Sequence, residues 1–186
     1  MSKVIHIRYT IDMAIIDDIY ANIDDFGLIT SAEAKELGVT NVELAQQERR
    51  GKLVRLARGV YRMPIWPYQE AAPYAIAVKA AGEEAYLYGE SVVALLHLAP
   101  TDPTRIVVAS PRRVRRKIGD NIVLLRMRNG EPTTYYEGVP CQRVVEAIRA
   151  ALSRIGTERA LAAADAALEE GYITKRERDE LEGALT

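Results

Sequence analysis

Cysteine and histidine are nearly absent: Cys141, His6 and His97 are the only such residues among 186. A lone cysteine forms no internal disulfide, and three side chains do not supply the four ligands of a structural zinc site. Long apolar runs are missing as well. No stretch of about eighteen uninterrupted apolar residues occurs, which excludes a membrane-spanning helix, and the N-terminus lacks the apolar run of a signal peptide. A soluble, cytoplasmic protein with no membrane partner is expected. Catalytic signatures are equally scarce. There is no Walker loop, dinucleotide-binding glycine fingerprint or metal-spaced histidine pair. Gly89-Glu90-Ser91-Val92-Val93 lacks the second glycine of a nucleophile elbow, so Ser91 reads as a small packed residue or a cap. His97, after the apolar run Val92 to Leu96, reads as a packed or turn-capping side chain. No catalytic residue, cofactor or metal is expected, and the chain is not read as an enzyme.

Net charge is also small, −1, with 48% hydrophobic and 27% charged residues. That composition fits one large domain or two small ones and excludes disordered, collagen-like and coiled-coil classes. The near-neutral total hides a segregation of charge. Residues 1–62 sum to zero, 63–104 to −4, 105–128 to +7 and the remainder to −4. Within the neutral first block, Arg49 to Arg62 holds six bases and no acid. Two basic patches on a neutral chain point to contact with a polyanion.

The first third has the grammar of three helices and a hairpin. Ile11, Ile15, Ile16, Ile19, Tyr20 and Ile23 recur at helical spacing, so one face of a first helix is expected to be buried. Thr30 with Glu33 and Thr40 with Glu43 each have capping-box spacing, in which hydroxyl and carboxylate satisfy each other's orphan amides. The first opens a short helix stopping near Leu37-Gly38. The second opens a helix to Arg50, stopped by Gly51. A tight Leu-Gly-Val-Thr turn between two short helices is helix-turn-helix spacing. Leu53 to Leu56 and Val60 to Arg62 then read as strands around the turn Ala57-Arg58-Gly59, completing a winged helix-turn-helix.

Pro64, Pro67 and Pro73 interrupt regular structure between Met63 and Tyr74, so the domain junction is placed there: 1–66 a DNA-binding domain, 67–186 a second domain. Downstream the expected elements are a helix over 74–81, a strand over 85–88, a helix over 90–97, and strands over 105–109 and 122–127. Helices over 143–152 and 158–170 follow, with a last one opened by Thr174 and Glu177. The fold class is therefore α+β: a winged helix-turn-helix, then a mixed α/β domain with a helical C-terminus. The likeness of residues 27–37 to 171–181 is read as repeated capping grammar rather than a duplicated module.

A helix in a major groove reads base edges with Asn, Gln or Arg and meets thymine methyls with small apolar groups. The second helix of the pair offers Asn41, Val42, Ala45, Gln46 and Arg49 on one face, while Leu44 anchors it to the core. Arg55, Arg58 and Arg62 in the wing suit backbone contacts, which position the protein without reading sequence. Arg50 and Lys52 suit the same task or complement the helix dipole. A second basic surface, Arg112, Arg113, Arg115, Arg116 and Lys117, suits DNA phosphates, RNA or an acidic protein, or is a plain solvated loop.

The runs Gly27 to Thr40 and Arg49 to Arg62, with Arg58-Gly59-Val60-Tyr61 the most specific element, resemble the winged-helix domain of AbiEi-type antitoxins. Tyr88 to His97, the Ile-Val-Val-Ala-Ser-Pro strand and Glu137-Gly138-Val139-Pro140 are similar to that family's second domain, so the resemblance covers most of 14–155. The chain departs from the family at Gln47 and Glu48, where Leu and another apolar residue are frequent. The resemblance implies a transcriptional autorepressor and antitoxin of a type IV toxin–antitoxin pair. Its partners would be double-stranded operator DNA with inverted repeats and a nucleotidyltransferase-like toxin, neutralised with or without a stable complex. The alternative class is a protein-interaction scaffold, docking an acidic partner through the 112–117 segment.

Overall fold

Two reciprocal capping boxes set the frame of the N-terminal half. In the computed structural model, which describes residues 14–101, 104–115, 118–127 and 131–185, Thr30 N donates to Glu33 Oε2 at 2.7 Å while Glu33 N donates to Thr30 Oγ1 at 3.1 Å. Thr40 and Glu43 repeat the arrangement at 2.7 and 3.3 Å. These boxes open α2 (Ser31–Glu36) and α3 (Asn41–Arg49), preceded by α1, helical over 14–22. Each short helix ends on a glycine: Gly38 donates to Lys35 O and Gly51 to Glu48 O, at φ of 81° and 69°. The next amides, Val39 N and Lys52 N, reach back to Ala34 O and Gln47 O, so the last carbonyls are satisfied by the backbone itself.

Beside these helices lies a three-stranded sheet of β1 (Leu28–Thr30), β2 (Val54–Ala57) and β3 (Val60–Arg62), in the order β1-β3-β2 and antiparallel throughout. The order helix, strand, helix, helix, hairpin is that of a winged helix-turn-helix. Strand β1 was not anticipated, because three residues leading into a capping box carry too little alternation to read. Ile19, Ile29, Ala34, Leu44, Leu53 and Tyr61 form the buried core, and full burial of a side chain such as Leu44 contributes about 2 kcal/mol. Tyr20 leaves the expected buried face of α1: it is 53% exposed and stands edge-on to Trp66 at 6.0 Å. Ile11 lies outside the described residues.

One core position is polar. Gln47 is 1% exposed, and its Nε2 has no hydrogen-bond partner among the described residues. It sits one helical turn after Leu44, where helix phase demands an apolar group. A buried donor left unsatisfied costs about 1–3 kcal/mol, so Gln47→Leu should stabilise the protein by that order. Urea denaturation followed by circular dichroism measures it; an unchanged or lower midpoint would show that the amide is not the defect described.

The chain divides into two compact units, Met1–Ala72 and Pro73–Thr186. The division falls after Ala72 instead of after residue 66, because 63–71 folds back on the first unit. There Trp66 Nε1 donates to Asp25 O at 2.8 Å. Pro73 does not break structure. It occupies the first turn of α4 (Ala72–Ala81), where a missing amide hydrogen costs no helical bond.

The second unit holds a mixed five-stranded sheet. Its strands are β4 (Tyr86–Leu87), β5 (Ile106–Ser110), β6 (Ile122–Arg126), β7 (Thr133–Tyr136) and β8 (Val139–Gln142), in the order β6-β5-β4-β8-β7. β5 pairs with β6, and β4 with β8, in parallel; the other neighbours are antiparallel. The β7–β8 hairpin was not foreseen. Its signal was present in Thr-Thr-Tyr-Tyr followed by Glu137-Gly138, whose φ values of 50° and 74° are those of a two-residue primed turn. Helices α5 (Glu90–Leu95), α6 (Val144–Ile155), α7 (Thr157–Glu169) and α8 (Lys175–Leu185) complete the unit. α8 has its own capping box, Thr174 with Glu177. The residues before it form no strand, whereas those before Thr30 form β1, so the two similar segments share a cap and differ in what precedes it.

Candidate nucleic-acid interface

Helix α3 turns about 100° per residue, and its burial follows that period. Leu44 and Gln47 face the core at 0% and 1% exposure. Asn41, Val42 and Arg49 are exposed, and Ala45 and Gln46 are half-buried beside them. The five side chains expected to read bases thus share the face turned from the core. Val42, 65% exposed at the N-terminal end, is an apolar group held in water.

The β2–β3 hairpin brings Arg55 and Arg58 out on one wing, with Lys52 and Arg50 exposed at its base. Gly59 makes the turn at φ 76°, and its carbonyl accepts from Ser31 N at 2.9 Å, which ties the wing to the first turn of α2. A Cβ at this position would lie 3.3 Å from Ser31 Oγ. From Arg49 to Arg58 there are five bases and no acid, all five exposed. This is the chemistry of a surface that tracks phosphates.

Arg62 departs from the expected wing set. It is half-buried, and its Nη2 donates to Trp66 O at 3.1 Å and Pro67 O at 2.9 Å. Its guanidinium pins the segment after β3 instead of extending toward the wing tip. Conversely, Val54 and Leu56 in β2 are 44% and 40% exposed, although their sequence is that of ordinary strand residues. They are exposed because β2 is the outer strand of a small sheet, a fact of topology that local alternation does not carry.

The second basic segment belongs to the connection, residues 111–121, between the parallel neighbours β5 and β6. Arg112 is committed to a two-pronged pair with Glu84, Nε to Oε2 at 2.9 Å and Nη2 to Oε1 at 2.8 Å. Arg113 and Arg115 are exposed and make no ion pair among the described residues; Arg116 and Lys117 lie outside them.

Groups of catalytic type elsewhere are built into the fold. Ser91 Oγ accepts from Val107 N at 2.7 Å, joining α5 to β5. Burial pushes the Cys141 thiol up to about 12, so it carries no thiolate near neutrality. His97 is exposed, not packed. It sits just past α5 at φ 52°, donating its amide to Ala94 O, a turn-capping position. Among the described residues no three His, Cys, Asp or Glu side chains gather as a metal site, and no helix is long and apolar enough to cross a membrane.

No curated protein matches the chain. Residues 18–64, from within α1 through the helix pair and the wing to Pro64, match the model of the family described as transcriptional regulator, AbiEi antitoxin, so the N-terminal unit is similar to that family.

Proposed function

We propose that the chain is a DNA-binding transcriptional autorepressor and the antitoxin of a type IV toxin–antitoxin pair. In this reading the winged helix reads an operator with inverted repeats, and the remainder counteracts a nucleotidyltransferase-like toxin in the cytoplasm without catalysing a reaction. The observation that carries it is the outward face of α3, with Asn41, Val42, Ala45, Gln46 and Arg49 beside four exposed bases at Arg50, Lys52, Arg55 and Arg58. Its extent suits a major groove, with the wing on the adjoining backbone. The family match over the same residues supports regulation and antitoxin activity together.

A mobility-shift assay with the DNA just upstream of the chain's own gene, beside a scrambled duplex of equal length, tests the reading. Expected is a salt-sensitive shift at least about a thousandfold tighter for the upstream DNA, the lower range of specific recognition. Equal affinity for both duplexes, or none, would favour a scaffold that docks an acidic partner. The exposed Arg113 and Arg115 are the observation that recommends this second reading.

A further inference from the structure

Among the described residues seven large hydrophobic side chains are exposed: Tyr20, Val42, Val54, Leu56, Ile65, Tyr68 and Tyr135. Three of them lie on α3 or β2, within the candidate interface. Another three, Tyr20, Ile65 and Tyr68, lie elsewhere on the same unit, on α1 and the segment after β3. Tyr20 meets Trp66 at 6.0 Å, and Trp66 binds Asp25 O, so α1, the turn after it and the 65–68 segment form one continuous surface. Ile65 and Tyr68 are 78% and 77% exposed, more than Val42. Asp17, one helical turn before Tyr20, and Asp25 add exposed carboxylates that make no ion pair or hydrogen bond among the described residues. From residue 14 to 30 and from 63 to 72 there is no Lys or Arg at all.

Aromatic rings beside unpaired carboxylates are the chemistry of arginine recognition. The flat guanidinium stacks on the ring while its N–H groups meet the carboxylate. The same rings with like charges around them would not stack symmetrically on a second copy of themselves, because the carboxylates would oppose one another. The complementary surface is present on this chain: Arg113 and Arg115, exposed and unpaired among the described residues, in the connection from β5 to β6.

We infer that the face formed by Asp17, Tyr20, Asp25, Ile65, Trp66 and Tyr68 is a docking surface for Arg113 and Arg115 of a second copy of the chain. Two such contacts related by a two-fold axis close a pair, whereas one contact repeated head to tail builds an open chain. None of the six residues belongs to α3, β2 or the wing turn. The inference does not rest on the proposed function, since the association needs no DNA.

Sedimentation equilibrium of the full chain without DNA tests it. The parent should dimerise, more weakly as salt rises. The double variants Asp17→Lys/Asp25→Lys and Arg113→Glu/Arg115→Glu should each weaken self-association on the order of a hundredfold, because like charges then face each other. An equimolar mixture of the two should dimerise again, since each reversed face meets a reversed loop. Circular dichroism checks folding, and Arg113→Ala/Arg115→Ala gives a milder loss should the reversed chains fold poorly. A parent that stays monomeric, reversals that leave association unchanged, or a mixture that fails to recover would each overturn the inference.

Discussion

Gly27→Ala lowers stability far more than Gly51→Ala, although both glycines have nearly the same backbone conformation. Their φ values are 70° and 69°. An alanine in that region costs about 1–2 kcal/mol at either place. At Gly51 nothing lies within 4 Å of an added Cβ, so the backbone cost is the whole effect. At Gly27 the added carbon would fall 2.3 Å from Trp66 Cγ and 2.6 Å from Trp66 Cβ. These are atoms at the root of the side chain, and the indole has no freedom to retreat. Its Nε1 is bonded to Asp25 O, its ring meets Tyr20, and its backbone amide donates to Met63 O at 3.1 Å. Overpacking of this kind adds about 1–3 kcal/mol. The total for Gly27→Ala is therefore about 3 kcal/mol, against about 1 for Gly51→Ala. Trp66 is the only tryptophan of the chain, so its fluorescence in urea reports this region directly. If the clash is the cause, Gly27→Ala/Trp66→Ala, followed by circular dichroism, should be more stable than the sum of the single effects predicts. Equal losses at the two glycines would rule the clash out.

Trp66 also marks the limit of what the sequence discloses. Features set by neighbours a few residues apart were legible: the caps at Thr30, Thr40 and Thr174, the glycine stops at Gly38 and Gly51, and the outward face of α3. Each depends on a hydroxyl, a carboxylate or a helical repeat acting within one turn. The strands β5 and β6 were legible from β-branched runs. What escaped depends on distant partners. β1 exists because Leu28, Ile29 and Thr30 meet Arg62, Tyr61 and Val60 across the sheet. Tyr20 keeps helical phase with the core residues of α1 yet is diverted to Trp66, more than forty positions away. Arg62 is one base of six in a basic run, and nothing local distinguishes the one drawn to two backbone carbonyls after the hairpin. Gln47 was legible in half. Its three-residue spacing from Leu44 gives it a buried phase, while its polarity argued for water; the phase prevails, and its Nε2 is left without a partner among the described residues.

The DNA reading makes its sharpest demand through salt. Affinity that depends on neutralising Z phosphates falls with the logarithm of salt at a slope of about −0.9 Z. If Arg50, Lys52, Arg55 and Arg58 each meet one phosphate, raising salt fourfold should weaken binding by about 150-fold per copy. In Arg55→Ala/Arg58→Ala two contacts are gone, and the same change should cost only about 12-fold. The loss at low salt should be uniform across DNA sequences, since backbone contacts carry no base information. Gln46→Ala should behave in the opposite way: an unchanged slope, and a relaxed preference of about 1–3 kcal/mol at the base it meets. Arg62→Ala separates the geometry from simple charge counting. Its guanidinium is held by Trp66 O and Pro67 O, so its removal should leave the salt slope as it was and lower stability instead. Were Arg62→Ala to flatten the slope as much as Arg58→Ala does, the basic run would act as undifferentiated charge, and the assignment of individual arginines to wing and scaffold would fail.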